Sequence, residues 1–464
     1  MGLHLKINEK PYLTASPAVT DTGSYQPVSY WQETIDVQPG DPLQSDTTCD
    51  VAIVGGGFTG LSTAYELKRA HPELDIVVLE RGVAGHGASG RNGGFSMPLF
   101  GWDLLDTAKQ RGEEEAGHVY RMMYNAVDHL RDIIKRENIS CDAEYTGYIM
   151  LATCASRERR MRKELEVAHR LGFEHEWIEG DTLDTYIRSD AFRAGLFDPK
   201  PFVVNPAKLA RGLKDTIEKL GVRIYEQTPL VQLTEGVLNT LRTPGGTVSA
   251  KRVMLALNGY GTALGFQNST ILPVHTYIVL TEPLSDAELA STGWGKHRAS
   301  LETARNLIHY FRLTVDNRIA FGGEDADLYY GGAFRDHDTK IYEALESTFR
   351  RFFPTLDRVN MTHRWGGTLG VAIDMFPTFG VTGERQTIFY ASGYAGHGVS
   401  LANYAGRMMA PEILNSLGLT EKKIESTPFF YNRSPFKFPP DPLRYVGMKA
   451  YRLALRAQDR IAGA

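Results

Sequence analysis

The sequence predicts an α/β protein in which a parallel sheet, built from separated stretches of chain, is joined to an antiparallel sheet. A complete strand–helix–strand pattern begins at Asp50. Helix and strand patterns of the same type return within residues 206–226 and 253–261. From about 266 to 360, apolar and polar residues alternate, which is typical of antiparallel strands. The parallel domain is therefore expected to be discontinuous.

The composition excludes several classes of protein. The 464 residues include 51 Lys+Arg and 55 Asp+Glu, so the net charge of −4 leaves no basic excess for nucleic-acid binding. The three cysteines, Cys49, Cys141 and Cys154, are too few and too irregular for a disulfide framework or a cysteine-ligated metal site. No apolar run is long enough to cross a bilayer and no signal-peptide pattern is present, so a cytoplasmic protein is expected.

The first strand, residues 51–54, is followed by a glycine motif. Gly55, Gly57 and Gly60 have GxGxxG spacing, Phe58 and Thr59 open the following helix, and Glu80 ends the next strand. Such glycines allow a tight turn, bring backbone amides close to a pyrophosphate and let helix and strand pack closely. Glu80 is placed to accept hydrogen bonds from a ribose. The motif predicts a dinucleotide site, and from these residues NAD and FAD are both possible.

The remaining elements follow from apolar spacing and capping residues. Asn205 and Pro206 are typical of a helix start, and Gly221 of a helix end. A basic last helix follows an extended proline-rich linker; packing on its own protein is expected, and contact with an acidic membrane or a partner is the alternative. Helices are predicted at residues 112–136, 157–171, 206–220 and 443–462, and further strands at 145–153, 222–226 and 253–256.

A second glycine-rich segment spans residues 85–96, GHGASGRNGGFS. So many glycines are costly in a regular element and indicate backbone held close to a ligand, although a flexible loop is the alternative. Ser89, Arg91 and Asn92 supply a hydroxyl, a fork of donors and an amide suited to phosphate and ribityl oxygens.

A third glycine turn, within residues 393–414, runs into a helix. The amides at the start of that helix, near Gly398 and Val399, would stabilise negative charge. A flavin acquires such charge at its N1/O2 edge on reduction. The neighbouring His397 is expected to orient the turn rather than to act as a base.

Together these motifs resemble the FAD-dependent glycine/D-amino acid oxidase family, which includes sarcosine oxidase and γ-glutamylputrescine oxidase. The resemblance covers roughly residues 29–444 and rests also on SYW, NPAKLARGL, GVRIYEQTPL, ALNGYG, LPVHTYIVLTEPL, YFRLTVDNRIAFGG and HRWGG. GASGRNGGF, TEPL and GYAGHGV are most similar to the γ-glutamylputrescine oxidase branch. The resemblance implies that FAD is lined by residues Gly55–Gly60, Glu80, Arg81, Ala88, Ser89, Arg91, Asn92, Gly93, Gly94, Val231, Gly396, His397, Gly398, Val399 and Ser400.

This sequence departs from the family pattern at positions that concern covalent attachment of FAD, reaction with O₂ and binding of the substrate carboxylate. Residues 363–370 have no cysteine for covalent attachment, so noncovalent FAD is expected; His86 is an alternative attachment point without a matching motif. Ala320 stands where some oxidases carry an oxygen-activating lysine, which questions rapid reaction with O₂. Ser400 stands where amino-acid-oxidising relatives place a basic residue.

Candidate substrate residues come from the antiparallel sheet and its surroundings. Tyr310 and Arg312 share one face of a strand and are able to hold an anionic tail, whereas His309 points away. His275 and Trp365 are further candidates with Ser400, and ordinary core roles are the alternative for each.

The sequence thus predicts a discontinuous Rossmann-like FAD-binding domain with an antiparallel-sheet substrate domain. The expected limits are 1–47 for an N-terminal arm; 48–105, 200–265 and 361–425 for the FAD-binding domain; 106–199 and 266–360 for the substrate domain; and 426–464 for a C-terminal linker and helix.

The predicted reaction is oxidation of a small primary or secondary amine, with or without a carboxylate or phosphonate tail, by hydride transfer to flavin N5. The imine would be hydrolysed and O₂ reduced to H₂O₂. One alternative is a D-amino acid or N-methylglycine-type dehydrogenase that reduces a quinone; the other is a flavin-binding scaffold without redox turnover.

Overall fold

The computed structural model describes residues 2–20, 24–421 and 427–463. It contains a nine-stranded sheet, an eight-stranded sheet and a two-stranded ribbon. Apolar residues of the predicted first strand, such as Val51 and Ile53, are fully buried in a core shared with helices on one face of the sheet. The predicted fold class, a discontinuous Rossmann-like domain with a second domain built on an antiparallel sheet, is confirmed.

The strands of the described residues are β1 (His4–Lys6), β2 (Thr47–Val54), β3 (Ile76–Leu79), β4 (Phe95–Ser96), β5 (Tyr148–Ala152), β6 (Glu176–Glu179), β7 (Ala194–Asp198), β8 (Phe202–Val203), β9 (Arg223–Tyr225), β10 (Gln232–Thr234), β11 (Asn239–Thr243), β12 (Gly246–Leu255), β13 (Leu272–Thr281), β14 (Ser300–Thr303), β15 (His309–Leu313), β16 (Ile319–Asp327), β17 (Met361–Val371), β18 (Thr378–Thr382) and β19 (Ile388–Ser392).

The α-helices of the same residues are α1 (Tyr30–Glu33), α2 (Phe58–Ala70), α3 (Leu104–Arg111), α4 (Glu113–Arg136), α5 (Ala155–Arg170), α6 (Gly180–Asp184), α7 (Pro206–Lys219), α8 (Asp286–Ser291), α9 (Thr339–Phe352), α10 (Gly398–Ser416) and α11 (Leu443–Ala462). Helix α7 begins as its sequence indicates, because the Asn205 side chain accepts hydrogen bonds from the N–H groups of Ala207 and Lys208.

The nine-stranded sheet has the order β1-β10-β11-β12-β2-β3-β9, and β19 pairs with both β12 and β18. The pairs β12–β2, β2–β3, β3–β9 and β12–β19 are parallel. The sheet therefore collects strands from well-separated parts of the chain. The helices α2, α4, α7 and α10 pack over one core on the face that carries Val51 and Ile53. The opposite face, with Ala52 and Val54, shares a second core with buried residues of β1, β10 and β11.

The eight-stranded sheet has the order β17-β13-β16-β15-β14-β5-β7-β6. All its neighbouring strands are antiparallel except β14 and β5, which are parallel. The sequence predicts that the FAD-binding domain resumes at residue 361. In the structure, β17, which begins there, pairs along its length with β13 and so belongs to the second sheet. Strand β17 thus completes the second sheet before the chain returns to the first at β18 and β19.

Both ends of the chain are attached to its body. Strand β1 of the N-terminal arm pairs with β10 and so becomes part of the nine-stranded sheet. Helix α11 is held by Asp459, which is buried and accepts hydrogen bonds from Arg157 and from the N–H of Asn306. Packing of this helix on its own protein is therefore observed, and no helix in the described ranges is long and apolar enough to traverse a lipid bilayer.

Candidate functional site

The early glycine turn joins β2 to α2. Gly55 has a φ of +108°, which favours glycine, and its N–H donates to the carbonyl of Leu79 at 2.9 Å. A Cβ at Gly60 would lie 2.0 Å from the Gly55 oxygen. Gly60 therefore serves the close packing of turn and helix. The N–H of Phe58 donates to the Ser89 hydroxyl at 2.9 Å.

Glu80 directly follows β3 and lies beside this turn. Its two carboxylate oxygens accept hydrogen bonds from the N–H groups of Gly56, at 2.7 Å, and Gly82, at 2.8 Å. Burial raises the pKa of this carboxyl, and the two amides oppose that shift. Because each carboxylate oxygen has a second lone pair, Glu80 keeps acceptor capacity for a ribose hydroxyl.

The segment 85–96 is held by its own polar side chains. The Asn92 amide donates to the carbonyl of Ala88 at 2.9 Å, and its oxygen accepts from the N–H of Gly94 at 2.8 Å. The sequence suggests that the guanidinium of Arg91 binds a phosphate, but in the structure it has partners within the protein. Its Nη1 donates to Asp336 at 2.5 Å and its Nε to the carbonyl of His86 at 2.7 Å, so this buried cation forms an internal ion pair.

The late glycine turn meets the early one directly. The hydroxyls of Tyr394, in the late turn, and Thr59, in the first turn of α2, are hydrogen bonded at 2.7 Å. Gly396 has a φ of +92°, and α10 begins two residues later. The surrounding protein desolvates the ring of His397 and lowers its pKa to about 4, so this side chain is neutral near pH 7.

These three segments line one cavity of about 590 Å³. That volume is within the range of cofactor and ligand pockets. The predicted cofactor residues on its wall are Gly55, Gly57, Phe58, Thr59, Glu80, Arg81, Ala88, Ser89, Arg91, Asn92, Gly396, Gly398 and Val399. The two early motifs and the late one, which lies about 300 positions further along the chain, are thus brought to one cavity.

Seven predicted residues do not line the cavity formed by the described part of the chain, namely Gly56, Gly60, Gly93, Gly94, Val231, His397 and Ser400. Val231 has other backbone partners, since its carbonyl accepts from Ile7 and its N–H donates to Arg242. The fully buried Ser400 shares a hydrogen bond of 2.9 Å with Ser96. At Gly94, a Cβ would lie 2.0 Å from the Val204 oxygen, so the loop is packed against β8 and its flank.

Tyr310 and Arg312 share a face of β15, as the alternation predicts, and that face meets Gly93 and Gly94. Arg312 is nevertheless buried: its Nη1 donates to the carbonyl of Val204 at 2.7 Å, and its guanidinium lies 5.3 Å from the Trp31 ring centroid. Burial lowers its pKa to about 10 and raises that of Tyr310 to about 12. Within the described residues, neither side chain reaches the cavity wall.

His275 and Trp365 also have partners inside the protein. The indole N–H of Trp365 donates to the carbonyl of Arg91 at 2.8 Å. The Nε2 atom of His275 accepts from the N–H of Arg335 at 3.1 Å and lies 2.9 Å from the Thr368 hydroxyl. The structure thus gives all five candidate substrate residues packing or orienting contacts, and the predicted anionic clamp is not assembled around the cavity.

Several cavity residues were absent from the sequence predictions. Tyr260 and Tyr394 lie within the motifs ALNGYG and GYAGHGV, so the sequence around each of them already indicated the site. Asp336, Leu369 and the arm residues Ile7 and Tyr12 lie in no recognisable motif. Only the folded chain identifies them.

The cavity suits a large cofactor with a diphosphate. Gly57 and Gly87 are on its wall. A Cβ at Gly57 would lie 2.8 Å from the Ser89 hydroxyl, and a Cβ at Gly87 would lie 3.3 Å from the Tyr260 ring. A side chain at either position would therefore crowd a neighbouring residue of the wall, and glycine leaves the backbone itself at the surface of the cavity. The amides at the start of α2 suit a diphosphate, and those at the start of α10 suit developing negative charge. The residues present consequently fit FAD.

Protonation of His275 is expected to destabilise the folded protein at acid pH. Burial lowers the pKa of His275 to about 4, whereas the unfolded chain has an ordinary histidine. The unfolded state thus binds more protons, and the free energy of unfolding should fall as pH drops from about 6.5 to about 4. His275→Gln, which keeps an acceptor for Arg335, should reduce this slope by up to about 1.4 kcal/mol per pH unit in urea titrations.

The control for this measurement is His4→Gln, since His4 is exposed on β1. It should keep the wild-type slope. An unchanged slope in His275→Gln would contradict the assigned neutral state.

Comparison with known proteins agrees with this geometry. A family model described as DAO, FAD dependent oxidoreductase, matches residues 50–411. The chain is 33% identical over 378 residues to gamma-glutamylputrescine oxidoreductase of Escherichia coli, an alignment that covers 80% of this chain and 85% of that protein. It is 32% identical over 385 residues to probable oxidoreductase OrdL of Haemophilus influenzae, covering 80% and 84% of the two chains.

The fold is also that of a solved enzyme structure. Glycine oxidase from Geobacillus kaustophilus superposes with a TM-score of 0.65 at 21% sequence identity, covering 81% of this chain and 99% of that one. The match of the family model over most of the chain, with the relatives above 30% identity, establishes the family. This chain belongs to the DAO family of FAD-dependent oxidoreductases.

Proposed function

We propose that the protein oxidises a small primary or secondary amine, using noncovalently bound FAD and O₂. The observation that carries this proposal is the meeting of the two helix N-termini, at Phe58 and Gly398, on one cavity together with the glycine-rich segment 85–92. The amine class is supported by the relative named gamma-glutamylputrescine oxidoreductase.

Each end of the cavity suits one part of FAD. Glu80 would accept hydrogen bonds from the adenosine ribose, and the amides at the start of α2 would hold the diphosphate. Residues Gly396, Gly398 and Val399 would lie at the isoalloxazine. Noncovalent binding is supported by His86, whose Nε2 is engaged with Arg91 at 2.9 Å, and by the absence of cysteine from residues 363–370. Bound FAD supplies the acceptor for a hydride.

The protein's own contribution is placement and charge stabilisation. The amine loses a hydride from its α-carbon and a proton from nitrogen, and it leaves as an imine that water hydrolyses to a carbonyl compound and an amine or ammonia. Amides of Gly398 and Val399 would stabilise the negative charge that accumulates beside them. His397 is neutral near pH 7 and therefore adds no positive charge there. The substrate amine must react unprotonated, because its nitrogen lone pair forms the C=N bond as the hydride leaves.

The electron acceptor is a separate part of the proposal. O₂ would take two electrons and two protons and leave as H₂O₂. The position at which some oxidases carry an oxygen-activating lysine is Ala320 in this chain. Ala320 is buried in β16, in the same core as Trp365. A quinone-reducing dehydrogenase that acts on a D-amino acid or an N-methylglycine is the alternative outcome of the experiment below.

The purified holoenzyme is expected to lose its flavin absorbance near 450 nm when mixed anaerobically with at least one member of an amine panel. The panel should include neutral primary and secondary amines, D-amino acids, N-methylglycine and amines with carboxylate or phosphonate tails. Air should then restore the colour with stoichiometric H₂O₂. Recovery only with a quinone or dye would favour the dehydrogenase, and persistent colour with every amine would favour a non-redox scaffold.

Arg312→Ala is expected to lower kcat/KM by a similar factor, about tenfold, for anionic and neutral amines. The reason is that Arg312 supports Val204 and the Gly94 backbone in the structure rather than the cavity wall. Steady-state kinetics with a matched pair of amines, one bearing a carboxylate, measures this. A loss confined to the anionic amine would instead support the anionic clamp that the sequence suggested.

Gly57→Ala is expected to weaken FAD binding at least tenfold. Its Cβ would lie on the cavity wall, 2.8 Å from Ser89 Oγ, and would obstruct approach to the first amides of α2. Gly447→Ala is the matched control, because a Cβ there meets nothing within 4 Å. Fluorescence titration of the apoproteins with FAD measures both, and equal affinities would argue against this location of the diphosphate.

A further inference from the structure

A short N-terminal segment crosses one side of the cofactor cavity. We call residues 2–20 the strap. The family model begins at residue 50, so the strap lies outside the part of the chain that defines the family. Ile7, Tyr12 and residues 15–20 nevertheless form part of the cavity wall. The strap therefore adds a wall to the site from outside the region that the family model matches.

One end of the strap is anchored to the nine-stranded sheet. β1 pairs with β10, and the N–H of Ile7 donates to the carbonyl of Val231 at 2.9 Å. The next N–H, of Asn8, donates to the carbonyl of Ala263 at 2.7 Å. The buried side chain of Leu5 packs into the same core as Leu233. This anchor belongs to the sheet that carries the glycine motif.

The other end is anchored to the segment that follows β16. The N–H of Phe334 donates to the carbonyl of Pro11 at 2.8 Å, and the Tyr12 ring packs edge-on against the Phe334 ring with centroids 4.8 Å apart. The N–H of Ser16 donates to Asp336 at 2.5 Å. The strap thus spans the cavity between the two large sheets.

Asp336 connects the strap to the glycine-rich segment. One of its carboxylate oxygens accepts from Ser16 and the other from the guanidinium of Arg91. Both Arg91 and Asp336 are buried and line the cavity. A shift of the strap would therefore disturb a buried charge pair, which resists being left without its partners.

The strap also orients Arg81, the residue after Glu80. Glu9 binds the Arg81 guanidinium through both oxygens, at 2.8 Å and 3.2 Å, and the guanidinium lies 3.8 Å from the centroid of the Tyr12 ring. Stacking and a bidentate ion pair hold this side chain in one position on the cavity wall. Glu9 and Tyr12 are therefore positioning residues for Arg81.

We propose that the strap retains the cofactor: it covers the adenosine and diphosphate end of FAD, and its attachment beyond Pro11 must open before FAD can dissociate. This inference rests on the FAD site proposed above and adds a physical means of retention. A noncovalent cofactor stays bound through a slow dissociation rate, and a segment anchored at both ends supplies one. The strap's order and the bound FAD should stabilise each other.

The first test measures FAD dissociation from the holoenzyme, by dilution into an excess of a flavin-binding apoprotein. Tyr12→Ala should release FAD at least tenfold faster than the wild type. A variant lacking residues 2–20 should release it faster still if it folds. Tyr451→Ala, an exposed tyrosine of α11, is the control and should match the wild type. Equal dissociation rates in Tyr12→Ala and the wild type would overturn the proposal.

The second test needs no substitution. Hydrogen exchange of the full chain should show the amides of Ile7, Asn8 and Ser16 exchanging at least tenfold more slowly with FAD bound than without it. Equal exchange in the two states would overturn retention by the strap while leaving the FAD site intact. A wild-type chain that takes up no FAD would overturn the proposed function itself, and this inference with it.

Discussion

The close approach of α2 and α10 is the constraint on which the site depends. A Cβ at Gly406 would lie 2.4 Å from the backbone carbon of Ser62, so only glycine allows the two helices this separation. Ser62 adds a hydrogen bond of 3.1 Å to the carbonyl of Ala402. With the helices in this contact, their first turns face the same cavity, and the hydroxyls of Thr59 and Tyr394 join them. The partial positive charges of two helix N-termini consequently face one cavity.

A second constraint acts across the two sheets. Arg91 could have served a phosphate, and its type and position suggested that role. In the folded chain it meets Asp336, which lies beyond β16, and a buried carboxylate leaves such a guanidinium little freedom. The same carboxylate accepts the N–H of Ser16. One acidic side chain therefore joins the glycine-rich segment, the second sheet and the N-terminal arm, and it explains why these parts form one site.

Local patterns predicted the features that depend on neighbours in sequence. The strand–turn–helix at Gly55, the start of α7 at Asn205 and the alternation of Tyr310 with Arg312 are each determined within a few residues. The depth of Arg312 was not predictable in this way, because its burial depends on Val204 and Trp31, far away in the chain. The same limit applies to Ser400, whose partner is Ser96, and to the pairing of β17 with β13.

By itself the sequence determined that this protein contains a dinucleotide turn, two further glycine-rich turns and an α/β framework, because such features follow from backbone freedom and short-range periodicity. The tertiary structure decided which of the polar residues face the cavity and which serve as internal partners. Asp336, Tyr12 and Ile7 became part of the site through contacts between distant segments. Contacts of this kind have no local signature, since packing and charge pairing select them only when the chain has folded.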